Sequence, residues 1–124
     1  MTDSRKTLLI ADDEELIRDL LSDIFSEQYN IIACKDGAEA IKSFDEHRST
    51  ISAVITDLVM PKVSGDKVIQ HIRTHSPSLP ILIITGYERD TNTMSLQQDA
   101  NIQVLQKPFR IDKLQSLLND LLKR

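Results

Sequence analysis

The chain has 124 residues, 40% of them hydrophobic and 27% charged, with a formal net charge of −4. That length suits one core of ordinary size, and scattered Lys and Arg under an acidic balance exclude a nucleic-acid surface built from charge. A lone cysteine, Cys34, excludes an internal disulfide framework and a cysteine-based zinc site.

Thr7 to Ala11 (TLLIA) reads as a strand, ended abruptly by four consecutive carboxylates, Asp12, Asp13, Glu14 and Glu15. Leu16, Ile17, Leu20, Leu21, Ile24 and Phe25 recur at helical spacing and predict a first helix. Residues 30–34 (NIIAC) predict a second strand, with Cys34 as a small buried apolar residue. Asp36 is the expected N-cap of a second helix that carries Ala40, Ile41 and Phe44.

Residues 52–56 (SAVIT) predict a third strand that delivers Asp57, and Val68, Ile69 and Ile72 mark a third helix starting near Ser64 or Gly65. Residues 80–85 (PILIIT) predict a fourth strand ending at Thr85. From 87 to 99 only Met94 and Leu96 anchor the segment beyond Tyr87, which predicts a short or mobile fourth helix. Residues 102–106 (IQVLQ) predict a fifth strand leading into Lys107. The stripe of Ile111, Leu114, Leu117, Leu118, Leu121 and Leu122 predicts a last helix beginning between Arg110 and Asp112.

Five strands alternating with five helices predict a single α/β domain over 1–124, a parallel sheet with right-handed crossovers. No segment reaches signal-peptide or membrane-spanning length, so a reducing, cytoplasmic setting without membrane contact is expected. Ligand groups in such sheets gather beyond the carboxyl ends of the strands. There Asp12, Asp13, Asp57, Thr85 and Lys107 converge if strands one, three, four and five are neighbours. Carboxylates so crowded repel one another unless a cation sits among them. Hard oxygen ligands favour Mg²⁺, and with Lys107 the ion would leave the cluster ready for phosphoryl oxygens.

Each residue alone has a plainer use. Acidic residues at a helix N-terminus suit its dipole, and Glu14 and Glu15 are assigned to that role. His47, His71 and His75 lie in surface segments and are read as neither ligands nor phosphocarriers. The conjunction across four strand ends is what carries the functional reading.

The motifs ADDE, VITDLVMPKVSG, IITGY and LQKPF stand in the order seen in one family. Over residues 5–122 the chain resembles a receiver domain of two-component response regulators. The resemblance implies a flavodoxin-like, doubly wound five-stranded sheet of order 2-1-3-4-5. It further implies that Asp57 is the phosphoacceptor, that Asp13 and Asp57 ligate Mg²⁺ with the backbone carbonyl of Val59, and that Asp12 acts through water. Lys107 would pair with Asp57 and then with the phosphoryl group, and Thr85 would turn its hydroxyl onto it. The Lys107–Pro108 peptide is expected to be cis. The implied partners are a sensor histidine kinase or histidine phosphotransfer protein on one side and a downstream effector on the other, with no direct binding of nucleic acid. Gly65 is expected to supply unusual dihedrals after Asp57.

Three departures from the family pattern bear on mechanism. Val104 stands where a swinging Tyr or Phe is common, so switching is expected to rest on Thr85, the Gly86 loop and the fourth helix. Ala100-Asn101 replaces Gly-Ala, and because Asn tolerates left-handed dihedrals better than most residues a helix end is expected to survive there. Val59 and Tyr87 are not suited to orient an attacking water, and Tyr87 could shield the phosphorus, which predicts slow self-dephosphorylation. A phosphohydrolase of the haloacid-dehalogenase type would need a second Asp where Val59 stands, and Gly37, Gly65 and Gly86 form no phosphate-cradling loop. A phosphorylation-independent interaction module remains the alternative reading. Met1 with its short polar lead suggests an N-terminal or free-standing receiver.

Overall fold

Strand β1 (Lys6–Ala11) owes its place to a run that is apolar on both faces. Leu9 and Ala11 enter one buried layer and Leu8 and Ile10 the other. In the computed structural model, which describes residues 5–86 and 99–123, β1 is followed by α1 (Glu15–Phe25), β2 (Tyr29–Cys34), α2 (Gly37–His47) and β3 (Ile51–Asp57). Next come α3 (Gly65–His75), β4 (Ile81–Thr85), β5 (Ile102–Gln106) and α4 (Ile111–Leu122). The helix expected after β4 falls at 87–98, outside the described residues.

One layer sets α2 and α3 against the sheet through Ala40, Phe44, Val68, Ile69 and Ile72. The other sets α1 and α4 against it through Leu21, Phe25, Leu114, Leu118 and Leu121. Burying each large apolar side chain contributes about 1.5–3 kcal/mol, whereas an exposed ion pair contributes about 0–1 kcal/mol. The two layers therefore hold the fold. Cys34 is buried, as its apolar surroundings in the sequence imply.

All five strands run parallel in the order β2-β1-β3-β4-β5. The chain leaves β1 toward one edge and β3 toward the other, so the sheet's crevice opens between their carboxyl ends. Ala11 pairs with Thr56, which brings the following residues, Asp12 and Asp57, side by side. Thr85 pairs with Gln106, which puts Gly86 next to Lys107. Among the described residues no helix is long and apolar enough to cross a membrane.

Candidate functional site

At this crevice Lys107 gathers the acids. Its Nζ donates to Asp57 Oδ2 at 2.9 Å, to Asp12 Oδ2 at 3.1 Å and to Glu14 Oε1 at 3.1 Å. The backbone sets this reach, because Lys107 N donates to Thr85 O at 2.8 Å and clips β5 to the end of β4. The Lys107–Pro108 peptide is cis, as expected. Around the ammonium lies a cavity of about 260 Å³ lined by Asp13, Glu14, Asp57, Val59, Gly86 and Lys107.

Asp12 is buried, and its carboxylate is tied at both oxygens. Oδ1 accepts from Glu14 N at 2.9 Å and Oδ2 from Lys107. Arg18 adds a hydrogen bond to the Asp12 carbonyl at 2.8 Å, joining α1 to the same corner. Desolvation nonetheless raises the Asp12 carboxyl above the ordinary Asp value, against the pull of the Glu14 amide and Lys107. Burial alone would lower the Lys107 ammonium, but its bonds to Asp57, Glu14 and Asp12 outweigh that and raise it. Burial thus leaves Asp12 costly to ionise even with the Lys107 ammonium beside it.

Ligand oxygens of Asp12, Asp13 and Asp57 lie within 4.8 Å of one another. An all-oxygen donor set with an unrelieved carboxylate fits Mg²⁺ and offers zinc neither imidazole nor thiolate. Asp57 Oδ1 also accepts from Val59 N at 3.2 Å, so the turn after β3 steadies the carboxylate. Thr85 is fully buried at the end of β4, and Gly86 forms the cavity wall on that side. Every residue expected at the site comes to this one edge of the sheet; Asp12 and Thr85 stand behind its lining.

The family model of the response regulator receiver domain matches residues 8–119. The chain belongs to this family. Receiver domains are the phosphorylation-based signalling modules of two-component systems, phosphoacceptors rather than conventional enzymes, and generally use Mg²⁺ at an acidic pocket. They meet histidine kinases or phosphotransfer proteins and effector domains. Relatives include sensor kinase CckA of Brucella abortus (strain 2308), 26% identical over 119 residues that make up 95% of this chain and 13% of that protein. The probable transcriptional regulatory protein TcrX of Mycobacterium tuberculosis (strain ATCC 25618 / H37Rv) is 29% identical over 119 residues, 95% of this chain and 50% of that protein. The solved structure of a response regulator receiver domain protein from Clostridium thermocellum superposes with a TM-score of 0.86 at 26% identity, covering 96% of this chain and 95% of that one. The receiver spans half or less of these two curated relatives.

Two local expectations need correcting in this receiver. Glu14, assigned to the helix dipole, lines the cavity and shares Lys107. Its position just before α1 resembles any acidic helix start, so only the reach of Lys107 from β5 reveals it. Gly65 does not adopt a positive φ; among the described residues that conformation falls on Lys62, at 69°. Gly65 is required for space, since a Cβ there would lie 2.1 Å from Asp57 O and 2.6 Å from Leu58 Cα. Asn101 has no positive φ, so the turn there does not draw on the left-handed tolerance of asparagine. Its turn is held instead by Asp99, whose Oδ1 accepts from Asn101 N at 2.8 Å while Oδ2 pairs with Arg73 Nε at 2.7 Å.

Proposed function

We propose that residues 1–124 act as one receiver domain, in the cytoplasm, that takes a phosphoryl group onto Asp57 from a histidine kinase or histidine phosphotransfer protein. The observation that carries this reading is the single ammonium of Lys107 held between Asp57 and the acids of the β1 end. An Asp57 oxygen attacks phosphorus in line, the new P–O bond forms as the donor's P–N bond breaks, and the departing imidazole takes up a proton. Mg²⁺ bound by Asp13, Asp57 and the Val59 carbonyl, with Asp12 beyond a water, would offset the charge of the incoming group. Lys107 then turns from the Asp57 carboxylate to a phosphoryl oxygen.

Thr85 follows the phosphoryl group, and the loop at Gly86 moves with it. Among the described residues a Cβ at Gly86 would meet nothing within 4 Å, which leaves open space beside Gly86 itself. Val104, half-buried against the α2–α3 layer, has no ring to swing, and the switch runs through Thr85 and the segment after it. Val59 exposes an aliphatic side chain at the rim and has no polar atom to aim water at phosphorus, so the phosphoryl group is lost slowly. Tyr87, the other residue in that expectation, lies outside the described residues.

The donor's approach is marked by a cleft of about 400 Å³ lined by Ile17, Leu20, Lys107, Pro108 and Phe109. It shares Lys107 with the acidic cavity, so a partner delivering phosphate would cover it. Incubation with Mg²⁺ and acetyl phosphate, followed by intact mass, tests the proposal. The native chain is expected to gain one phosphoryl group, lost on adding EDTA beforehand and absent in Asp57→Ala. Equal partner binding with and without the donor would favour the interaction-module alternative.

A further inference from the structure

We propose that Asp45, His71 and His75 form a second cation site, one for a transition-metal ion of the Zn²⁺ class, bridging α2 and α3. His71 and His75 stand four residues apart near the end of α3, the spacing that sets two imidazoles on one helix face. Their ring centroids are 4.8 Å apart. The third group arrives from the other helix: Asp45 Oδ1 lies 2.7 Å from His71 Nε2. Spacing along α3 alone discloses no carboxylate partner, which is why surface position argued against a ligand role.

One nitrogen from each imidazole and one Asp45 oxygen all lie within 4.8 Å of one another. Tetrahedral zinc with bonds of about 2.0–2.1 Å wants its ligand atoms about 3.3 Å apart, with water completing the fourth position. The difference is within reach of side-chain rotation in a site that is open to solvent. Beneath it the ring of Phe44, fully buried, touches both imidazoles, with centroids 5.9 Å from His71 and 6.5 Å from His75. This floor limits where the rings can turn. Two imidazoles and one carboxylate suit a borderline-soft ion, whereas the three aspartates at the strand ends suit a hard one. The two sites share no residue and select different metals.

Arg48 sets the opposing term. Its guanidinium bonds Asp45 Oδ1 at 3.1 Å and sits 5.3 Å from the Phe44 centroid, so an arriving cation must displace it or face its charge.

Zn²⁺ titrated into the tag-free chain, with Mg²⁺ present to fill the strand-end pocket, gives the test by calorimetry and thermal melting. One equivalent is expected to bind and raise the Tm, because the ion ties two helices in the folded state only. His75→Ala and Asp45→Asn are each expected to weaken binding at least about tenfold, Arg48→Ala to tighten it, and Asp57→Asn to leave it unchanged. His75 and Asp45 are exposed, so both variants fold, which their melts without zinc will register. Absence of binding, equal binding by His75→Ala, or loss of binding in Asp57→Asn would overturn the proposal.

Discussion

Lys107 and Asp12 respond to the crowded pocket in opposite senses of stability. The Lys107 ammonium is raised, so its contribution is complete below the ordinary Lys value and disappears only as pH climbs through the higher folded value. At neutral pH it is fully present. The Asp12 carboxyl is also raised, chiefly by desolvation, so its ionised form costs stability above the ordinary Asp value of 3.8. Asp12→Asn is therefore expected to raise the Tm of the metal-free protein while abolishing the Mg²⁺-dependent increase expected of the native chain. Thermal melts with and without Mg²⁺ check this; a lower metal-free Tm would contradict it. Asp36 has the reverse sign. Its bond from Glu39 N at 2.8 Å lowers the carboxyl, so its stabilisation holds above 3.8 and fades as pH falls through the lower folded value. Asp36→Ala is expected to cost about 1 kcal/mol at neutral pH, with the gap to the native chain closing in urea melts run in acid. Cys34, pushed up to about 11 by burial, is expected to resist iodoacetamide until the protein unfolds.

The five strands were legible to within one residue at either end, because short Ile- and Val-rich runs between charged or turn-forming residues have few other uses. Helix starts were less so. The Asp36 cap was visible as an acid before a periodic stripe, and its side chain does cap α2. Ser64 and Arg110 occupy the N-cap positions of α3 and α4 without a side-chain cap bond, so those starts depend on packing rather than on local chemistry. The turn after β3 depends on close approach, which spacing cannot disclose. Gly37 would place a Cβ 1.9 Å from Val63 O, and Gly65 would place one 2.1 Å from Asp57 O, so two glycines let the loop fold back over α2 and β3. Gly65→Ala is expected to destabilise by more than about 1–3 kcal/mol, the usual cost of overpacking, because the obstacle is backbone. Gly86→Ala is expected to leave stability within about 1 kcal/mol of native. Urea unfolding of the two variants side by side checks the contrast.

Across the whole molecule, function follows from strand order. Asp12, Asp13, Asp57 and Lys107 were legible as residues that end strands, since parallel α/β sheets collect their chemistry at that edge. Glu14 and the Asp45–His71–His75 group were not, because each depends on a contact between elements far apart in sequence. The sheet brings β1, β3 and β5 ends within reach of one ammonium, and that convergence is the basis on which a phosphoryl switch at Asp57 is proposed. The most direct test is to phosphorylate the chain with acetyl phosphate and Mg²⁺, reduce the product with borohydride, and map the reduced residue by peptide sequencing. Homoserine at position 57 alone is the predicted result. Homoserine at 12 or 13, or at no position in a chain that takes up phosphate, would contradict the account.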